Sequence, residues 1–324
     1  MSIALADIVA AAGRIWGAIE TPVRLSTWLS APAGVVQLKL ETIQPTSSYK
    51  IRGAWNACAR LHERHGVDGV RLVTASAGNH GQALACAARH FQFPLTVFVS
   101  GEAPRTKLDA IRGWGADLQQ CLDYDEAERQ AKAFATSQGA TYISPYSHPD
   151  VIAGAGTIGL ELYEQQPRGR AQNLRAVVVP VGGGGLISGI GIALKALSPS
   201  TKIIGVEVAA SCPFTRSLEA GRLVTIDVKA SLADGLTGNL DPDTITLDIV
   251  REVVDEIVVV EEDEVRRALA GVVAHEHLLI EGAAATGPAA LLAGKIRADG
   301  DIAIILSGAN IDADRLVDVL GRRI

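Results

Sequence analysis

A single lysine, Lys50, stands in the small polar run PTSSYKIRGAWN (45–56), directly after an apolar segment. Far downstream, VVVPVGGGGLISG (177–189) carries four consecutive glycines, Gly182, Gly183, Gly184 and Gly185. Successive glycines let backbone amides turn inward as an anion nest, and a helix behind them adds the positive end of its dipole. A lysine amine can form an imine with a carbonyl. Brought together, the two features would hold a phosphate-bearing cofactor covalently. The chain has no GxxxxGK[ST], so the glycine run is not a nucleoside-triphosphate loop. A tight strand–helix turn is the structural alternative, and four glycines exceed what a turn requires.

Other polar residues fall where predicted strands end, which is where open α/β sheets gather their ligands. RLVTA (71–75) runs into SAGNHGQALACAARH, so Ser76, Asn79 and His80 open a helix whose free amides favour an anion such as a substrate carboxylate. Helix capping would account for one of these residues, but not for the packed SAGNH. IAIIL (302–306) ends in SGAN, with Ser307 at the strand tip, and KIIGVE (202–207) ends at Glu207. Ser-Gly is a common turn pair, and Glu207 could cap or pair structurally.

GAGTIG (154–159) matches GxGxxG by letter. No apolar strand precedes it and no acidic residue follows about twenty positions on, so a dinucleotide site is not expected. His62 and His65 lie on a polar helix face beside Arg64, and His275 and His277 lie two apart. Neither pair has the spacing of a zinc motif with a third ligand, and solvated positions are expected.

The elements that must position these groups alternate. Strands are predicted at 35–40, 71–75, 95–99, 176–181, 202–207, 256–260 and 302–306. Helical patterns lie between them, including Gly81–His90, Tyr124–Gln138 and Ser188–Leu197. Strands separated by helices of that length read as βαβ units in a mostly parallel sheet, an α/β fold. YISPYSHPDVIAGAGTIG breaks the rhythm. With a second crossing near residue 70, the expected division is 1–70 plus 149–324 as a large cofactor-binding domain, and 71–148 as a smaller substrate-binding one.

The 324 residues suffice for two domains, and 48% hydrophobic against 20% charged residues describes a compact, well-buried protein. A net charge of −6 without a basic block leaves no nucleic-acid footprint. Cys58, Cys86, Cys121 and Cys212 form no CxxC pair, so reduced thiols in a cytoplasmic enzyme are expected. The N-terminal stretch reads as an amphipathic helix rather than a signal peptide. The longest apolar run, Ala176 to Leu197, is interrupted by the glycines and is no membrane span.

Taken in order, SSYKIRGAWN, SAGNHGQALA, PVGGGGLISG, GVE, LIEGAAATG and LSGAN resemble the serine/threonine dehydratases. These are pyridoxal-phosphate enzymes of fold type II, a class that includes serine racemase, and the likeness covers nearly the whole chain. It implies two open, mostly parallel twisted sheets flanked by helices, as in the tryptophan synthase β chain, and a homodimer.

By the same resemblance Lys50 forms the Schiff base with pyridoxal 5'-phosphate. Asn79 bonds the ring hydroxyl, Gly182 to Gly185 with Leu186 cradle the phosphate, and Ser307 faces the pyridine nitrogen, with Tyr49 and Glu281 completing the set. Ser76, Ala77, Gly78, Asn79 and His80 receive the substrate carboxylate. Lys50, once displaced by the substrate amine, takes the α-proton as general base. A neutral serine cannot stabilise a fully protonated ring, so loss of a β-hydroxyl is the natural outcome. The products are a 2-oxo acid and ammonia.

Three departures narrow the expectation. Tyr49 stands where phenylalanine is usual. Ala77 replaces the second serine of racemases and cannot move a proton, which favours dehydration over racemisation. Pro213, six residues after Glu207, replaces an aspartate that in relatives helps hold a divalent cation, so no metal is expected there. No regulatory domain follows LSGAN, so feedback by an end-product amino acid is not expected. β-Replacement and a non-catalytic binding role fit less well, because the glycine and LSGAN motifs are dehydratase-like and a binder has no need of Lys50. Threonine and serine are the default substrates. LADGLTGNL and HEHLLIEGAAATG point alternatively to a branch acting on 3-phenylserine or a hydroxyectoine-derived amino acid. A 3-hydroxyaspartate would need an extra cation that sequence does not identify.

Overall fold

The structure is a computed structural model and describes residues 3–31, 34–101, 103–166 and 174–321. Among the described residues, ten strands form two sheets. The larger joins β1 (Val23–Ala31), β2 (Gly34–Leu40), β10 (Asp301–Leu306), β7 (Leu174–Pro180), β8 (Lys202–Val208) and β9 (Glu256–Val260) in that order. The smaller has the order β5 (Asp117–Cys121), β4 (Leu95–Ser100), β3 (Leu72–Ala75) and β6 (Thr141–Tyr142). Every pairing is parallel except β1 with β2.

The apolar runs that mark the central strands follow from burial on both faces. On β7, Ala176 and Val178 join one core with Val36, Leu38, Ile304 and Val206. The alternate residues Val177 and Val179 join another, with Ile187, Ile190, Ile203 and Ile305. Helices α10 (Glu262–Gly271) and α11 (Gly282–Leu292) supply the first face, and α6 (Pro149–Glu164) and α7 (Gly185–Leu197) the second. The smaller sheet packs one face on α2 (Lys50–His65) and α3 (Asn79–Phe91), and the other on α5 (Tyr124–Gln138).

All seven predicted strands are present, as are the three quoted helices and the N-terminal helix, α1 (Leu5–Arg14). Strands β1, β5 and β6 were not expected. GAGTIG lies inside α6, not in a nucleotide loop. Its glycines serve packing: a Cβ at Gly154 would lie 2.5 Å from the Arg52 carbonyl on α2, and one at Gly156 2.9 Å from the Gly189 carbonyl on α7. The four cysteines are free thiols. No helix among the described residues is long and apolar enough to cross a membrane.

Candidate active site

One cavity of about 480 Å³ gathers every residue singled out for the site: Tyr49, Lys50, Ser76, Ala77, Gly78, Asn79, His80, Gly182 to Gly185, Leu186, Glu281 and Ser307. Most of them follow from strand ends. β3 leads through Ser76 into α3, β7 leads into the glycines and α7, Ser307 directly follows β10, and residues 41–49 connect β2 to Lys50. The rim adds Ser100, Pro104, Lys107 and Tyr124 from the smaller-sheet body, and Asp234 to Asn239 from a loop of the larger one. A ligand here would lie between the two sheets, a common place for a small-molecule site.

Lys50 opens α2, and its Nζ donates to the Pro145 carbonyl at 2.7 Å. Burial pulls its pKa down to about 8, against the opposing pull of the Glu281 charge. A buried lysine with a lowered pKa presents neutral amine near physiological pH, as imine chemistry requires. Its position is fixed from below by a buried ion network. Arg52, two residues on, donates to both oxygens of Glu41 at 2.8 Å and also bonds Glu161, while Lys39 Nζ reaches Glu161 at 2.5 Å. These groups lock the first turn of α2 to β2 and α6.

Gly184, with φ of +83°, is the N-cap of α7. The other glycines are required by close approach. A Cβ on Gly183 would fall 2.2 Å from Cγ of Tyr146, one on Gly184 2.4 Å from Cζ of Phe214, and one on Gly185 2.7 Å from the Tyr146 carbonyl. Tyr146, itself part of the cavity wall, and Phe214 pack directly on this turn, and a Cβ on Gly182 would lie 3.0 Å from Cα of Leu236, which explains why four glycines occur where a turn alone needs fewer.

No side chain caps α3, whose N-cap is Gly78; Ser76 Oγ instead accepts the Gly78 N–H at 3.3 Å. His80 is buried, with Nε2 3.2 Å from the Ile143 carbonyl, and Nδ1 has no partner among the described residues. Burial, then the nearby Lys50 charge, depresses its pKa to about 3, so the ring is neutral. Its backbone amide is the part suited to an anion.

Asn79 Nδ2 donates to both Glu281 oxygens, at 2.8 and 3.1 Å, and its Oδ1 accepts from Asn310 Nδ2 at 2.7 Å. Burial raises Glu281 to about 7, partly countered by the Asn79 bond.

Glu207 lies outside the cavity lining. Its Oε1 accepts the Phe214 N–H at 2.9 Å, and Oε2 accepts the N–H and hydroxyl of Thr215 at 2.8 and 2.6 Å. It thus closes the amino end of α8 (Pro213–Ala220). Sequence reasoning missed Pro145, Tyr146, Lys107, Asp234 and the Arg52 network. A Pro-Tyr step after a two-residue strand carries no chemical signature, and ion pairs between distant segments leave no local pattern.

The lining suits pyridoxal phosphate: a buried low-pKa amine, a glycine turn at a helix N-terminus, and a hydroxyl at a strand tip. Residues 17–308 match the family described as "Pyridoxal-phosphate dependent enzyme". The chain is 40% identical over 291 residues to an L-threonine ammonia-lyase of Thermotoga maritima, a match covering 89% of this chain and 70% of the relative. It is 35% identical to the catabolic L-threonine dehydratase TdcB of Escherichia coli K12, covering 99% and 97%. The serine racemase structure from Dictyostelium discoideum superposes with a TM-score of 0.85 at 36% identity, covering 96% and 99%. The chain belongs to the pyridoxal-phosphate-dependent enzymes of fold type II. Within them it is a member of the serine/threonine dehydratase family, a pyridoxal-phosphate-dependent lyase.

Proposed function

We propose that the chain eliminates water from a β-hydroxy amino acid of the threonine or serine type, giving a 2-oxo acid and ammonia. The observation that carries this reading is the shared cavity of Lys50, the glycine turn and the uncapped start of α3. When bound, pyridoxal phosphate supplies the electron-withdrawing ring that makes an amino acid's α-proton removable.

Lys50 would hold the cofactor through Nζ, and as a free amine would take the proton from the substrate α-carbon. The amides of Gly182 to Gly185 and of Leu186, at the start of α7, would hold the phosphate. Asn79 would donate to the ring oxygen, with Glu281 orienting its amide, Ser307 would meet the ring nitrogen, and Tyr49 would pack beside it. Ser76, Ala77, Gly78, Asn79 and His80 would receive the substrate carboxylate, chiefly through backbone amides. Ala77 lines the cavity and its methyl group cannot move a proton, which favours elimination over racemisation.

Residues 71–148 would act as a smaller substrate-binding body on a larger cofactor-binding one, formed by 1–70 and 149–324. The enzyme would work in the cytoplasm as a homodimer.

The test is release of 2-oxo acid and ammonia from L-threonine, L-serine, 3-phenylserine and both 3-hydroxyaspartates. Turnover of L-threonine or L-serine is expected. Inversion without elimination would overturn the reading in favour of a racemase, and Ala77→Ser is expected to move the balance in that direction.

A further inference from the structure

The dipeptide Pro145–Tyr146, between β6 and α6, touches both halves of the site. The Pro145 carbonyl accepts from Lys50 Nζ at 2.7 Å. The Tyr146 ring lies directly against Gly183: a Cβ there would fall 2.2 to 2.6 Å from Cγ, Cδ1 and Cδ2. The Tyr146 carbonyl occupies the corresponding space beside Gly185. The phenol oxygen accepts the Asp241 N–H at 2.9 Å, and the Asp241 carboxylate pairs with Lys132 on α5. A second tie runs parallel: Ser147 Oγ accepts the Ile245 N–H at 3.0 Å, and Thr246 Oγ1 donates to the Gly183 carbonyl at 2.9 Å. Residues 145–147 and 241–246 therefore clasp the glycine turn, with Pro145 and Tyr146 forming part of the cavity wall.

We propose that Tyr146 is a positioning residue: its ring sets the plane of Gly183, and the carbonyl just before it holds Lys50 Nζ, so one dipeptide fixes the separation of amine and glycine turn. This rests on the reading that Gly182 to Gly185 hold the cofactor phosphate. A flat ring suits the task, because it presents a rigid face with few rotatable bonds. Burial also holds the phenol well above its ordinary pKa, so it stays neutral beside the Asp241 carboxylate.

The consequence is a reciprocal steric dependence between Tyr146 and Gly183. Residues in contact give non-additive effects when both are changed, whereas independent sites add. The experiment titrates pyridoxal phosphate into cofactor-free wild type, Y146F, Y146A, G183A and G183A/Y146A, reading the visible absorption of Lys50-bound cofactor. Thermal unfolding of each cofactor-free variant is recorded alongside.

Y146F keeps the ring face and is expected within about threefold of wild type; Y146A and G183A each lose about tenfold or more in affinity. The double variant is expected to bind no more weakly than Y146A, since removing the ring makes room for the new methyl group. Affinity losses that multiply in the double variant, or a Y146A that binds like wild type, overturn the proposal. A G183A protein with wild-type affinity would instead overturn the phosphate assignment on which it rests. If Y146A does not fold, Tyr146→Val keeps an apolar side chain, vacates the ring plane and carries the same expectations.

Discussion

Asn79 and Glu281, 202 positions apart in sequence, meet at 2.8 Å where the first turn of α3 faces the first turn of α11. Asn310 extends the contact, bridging Asn79 Oδ1 to the Thr46 carbonyl at 2.7 and 2.9 Å. Burial and the Asp234 charge push the Glu281 carboxyl up, while Asn79 and the Lys107 charge pull it down, leaving it at about 7 against an ordinary 4.5. In the cofactor-free protein the folded state therefore holds more protons than the unfolded chain between those two values. Stability must fall as pH rises through that window, by at most about 3 kcal/mol. Denaturant unfolding from pH 4 to 8 should show this loss, and Glu281→Gln should remove it. An unchanged profile in the variant would show that Glu281 ionises normally.

Lys50 yields a second pH signature. With its pKa near 8, the neutral fraction of the cofactor-free amine grows about tenfold per pH unit below that value and then saturates. Stopped-flow capture of pyridoxal phosphate should follow the same curve and level off above pH 8. A profile still rising toward pH 10 would indicate an ordinary lysine. Lys50→Ala should abolish the visible band of lysine-bound cofactor, and a variant that retained it would have the wrong residue assigned.

Glu207 bears on cation dependence. Its oxygens are engaged by the Phe214 and Thr215 amides, and Pro213 offers no carboxylate beside them. A helix N-terminus thus provides the positive potential that a cation would otherwise bring. Treating the enzyme with a chelator is expected to change kcat/KM by less than about twofold. Glu207→Ala should cost about 1–2 kcal/mol, as loss of a helix cap does. Weakened cofactor binding should accompany it, because Phe214 on α8 packs against Gly184. Strong stimulation by magnesium or calcium after chelation would refute this account.

The parts of the molecule legible in sequence were those with a local physical cause. The strands buried on both faces, such as β7 and β10, announced themselves as apolar runs, and the site motifs sit at their ends. β5 did not, because DLQQC is a mostly exposed edge strand whose polar residues face solvent. β6 has only two residues. Lys50, Asn79 and the glycines were readable as chemical types at strand–helix junctions. The reason for four glycines was not, since it lies in Tyr146 and Phe214, which come from elsewhere in the chain. The charges at the rim were equally hidden, because Lys107 and Asp234 are 127 positions apart and Arg315 and Asp234 are 81 apart.

Those rim charges give the last prediction. Lys107, on α4 (Arg105–Gly113), reaches Asp234 at 2.7 Å, and Arg315, on α12 (Ala313–Gly321), reaches the same oxygen at 3.0 Å. The bridge joins the smaller-sheet body to the 234–236 turn, and that turn packs on Gly182. Both Lys107 and Asp234 line the cavity, so the pair ties its two walls together beside the space a substrate would occupy. Partly exposed pairs contribute only about 0–1 kcal/mol, so breaking this one should hardly alter stability. Its effect should fall on substrate binding. Lys107→Met leaves Asp234 still paired with Arg315, whereas Asp234→Asn leaves two cations facing each other without their carboxylate. KM is therefore expected to rise more in D234N than in K107M, with kcat changing less than KM in both. Steady-state kinetics at saturating cofactor decide the matter. Equal effects, or a fall in kcat with KM unchanged, would mean that the bridge does not shape substrate binding between the two sheets.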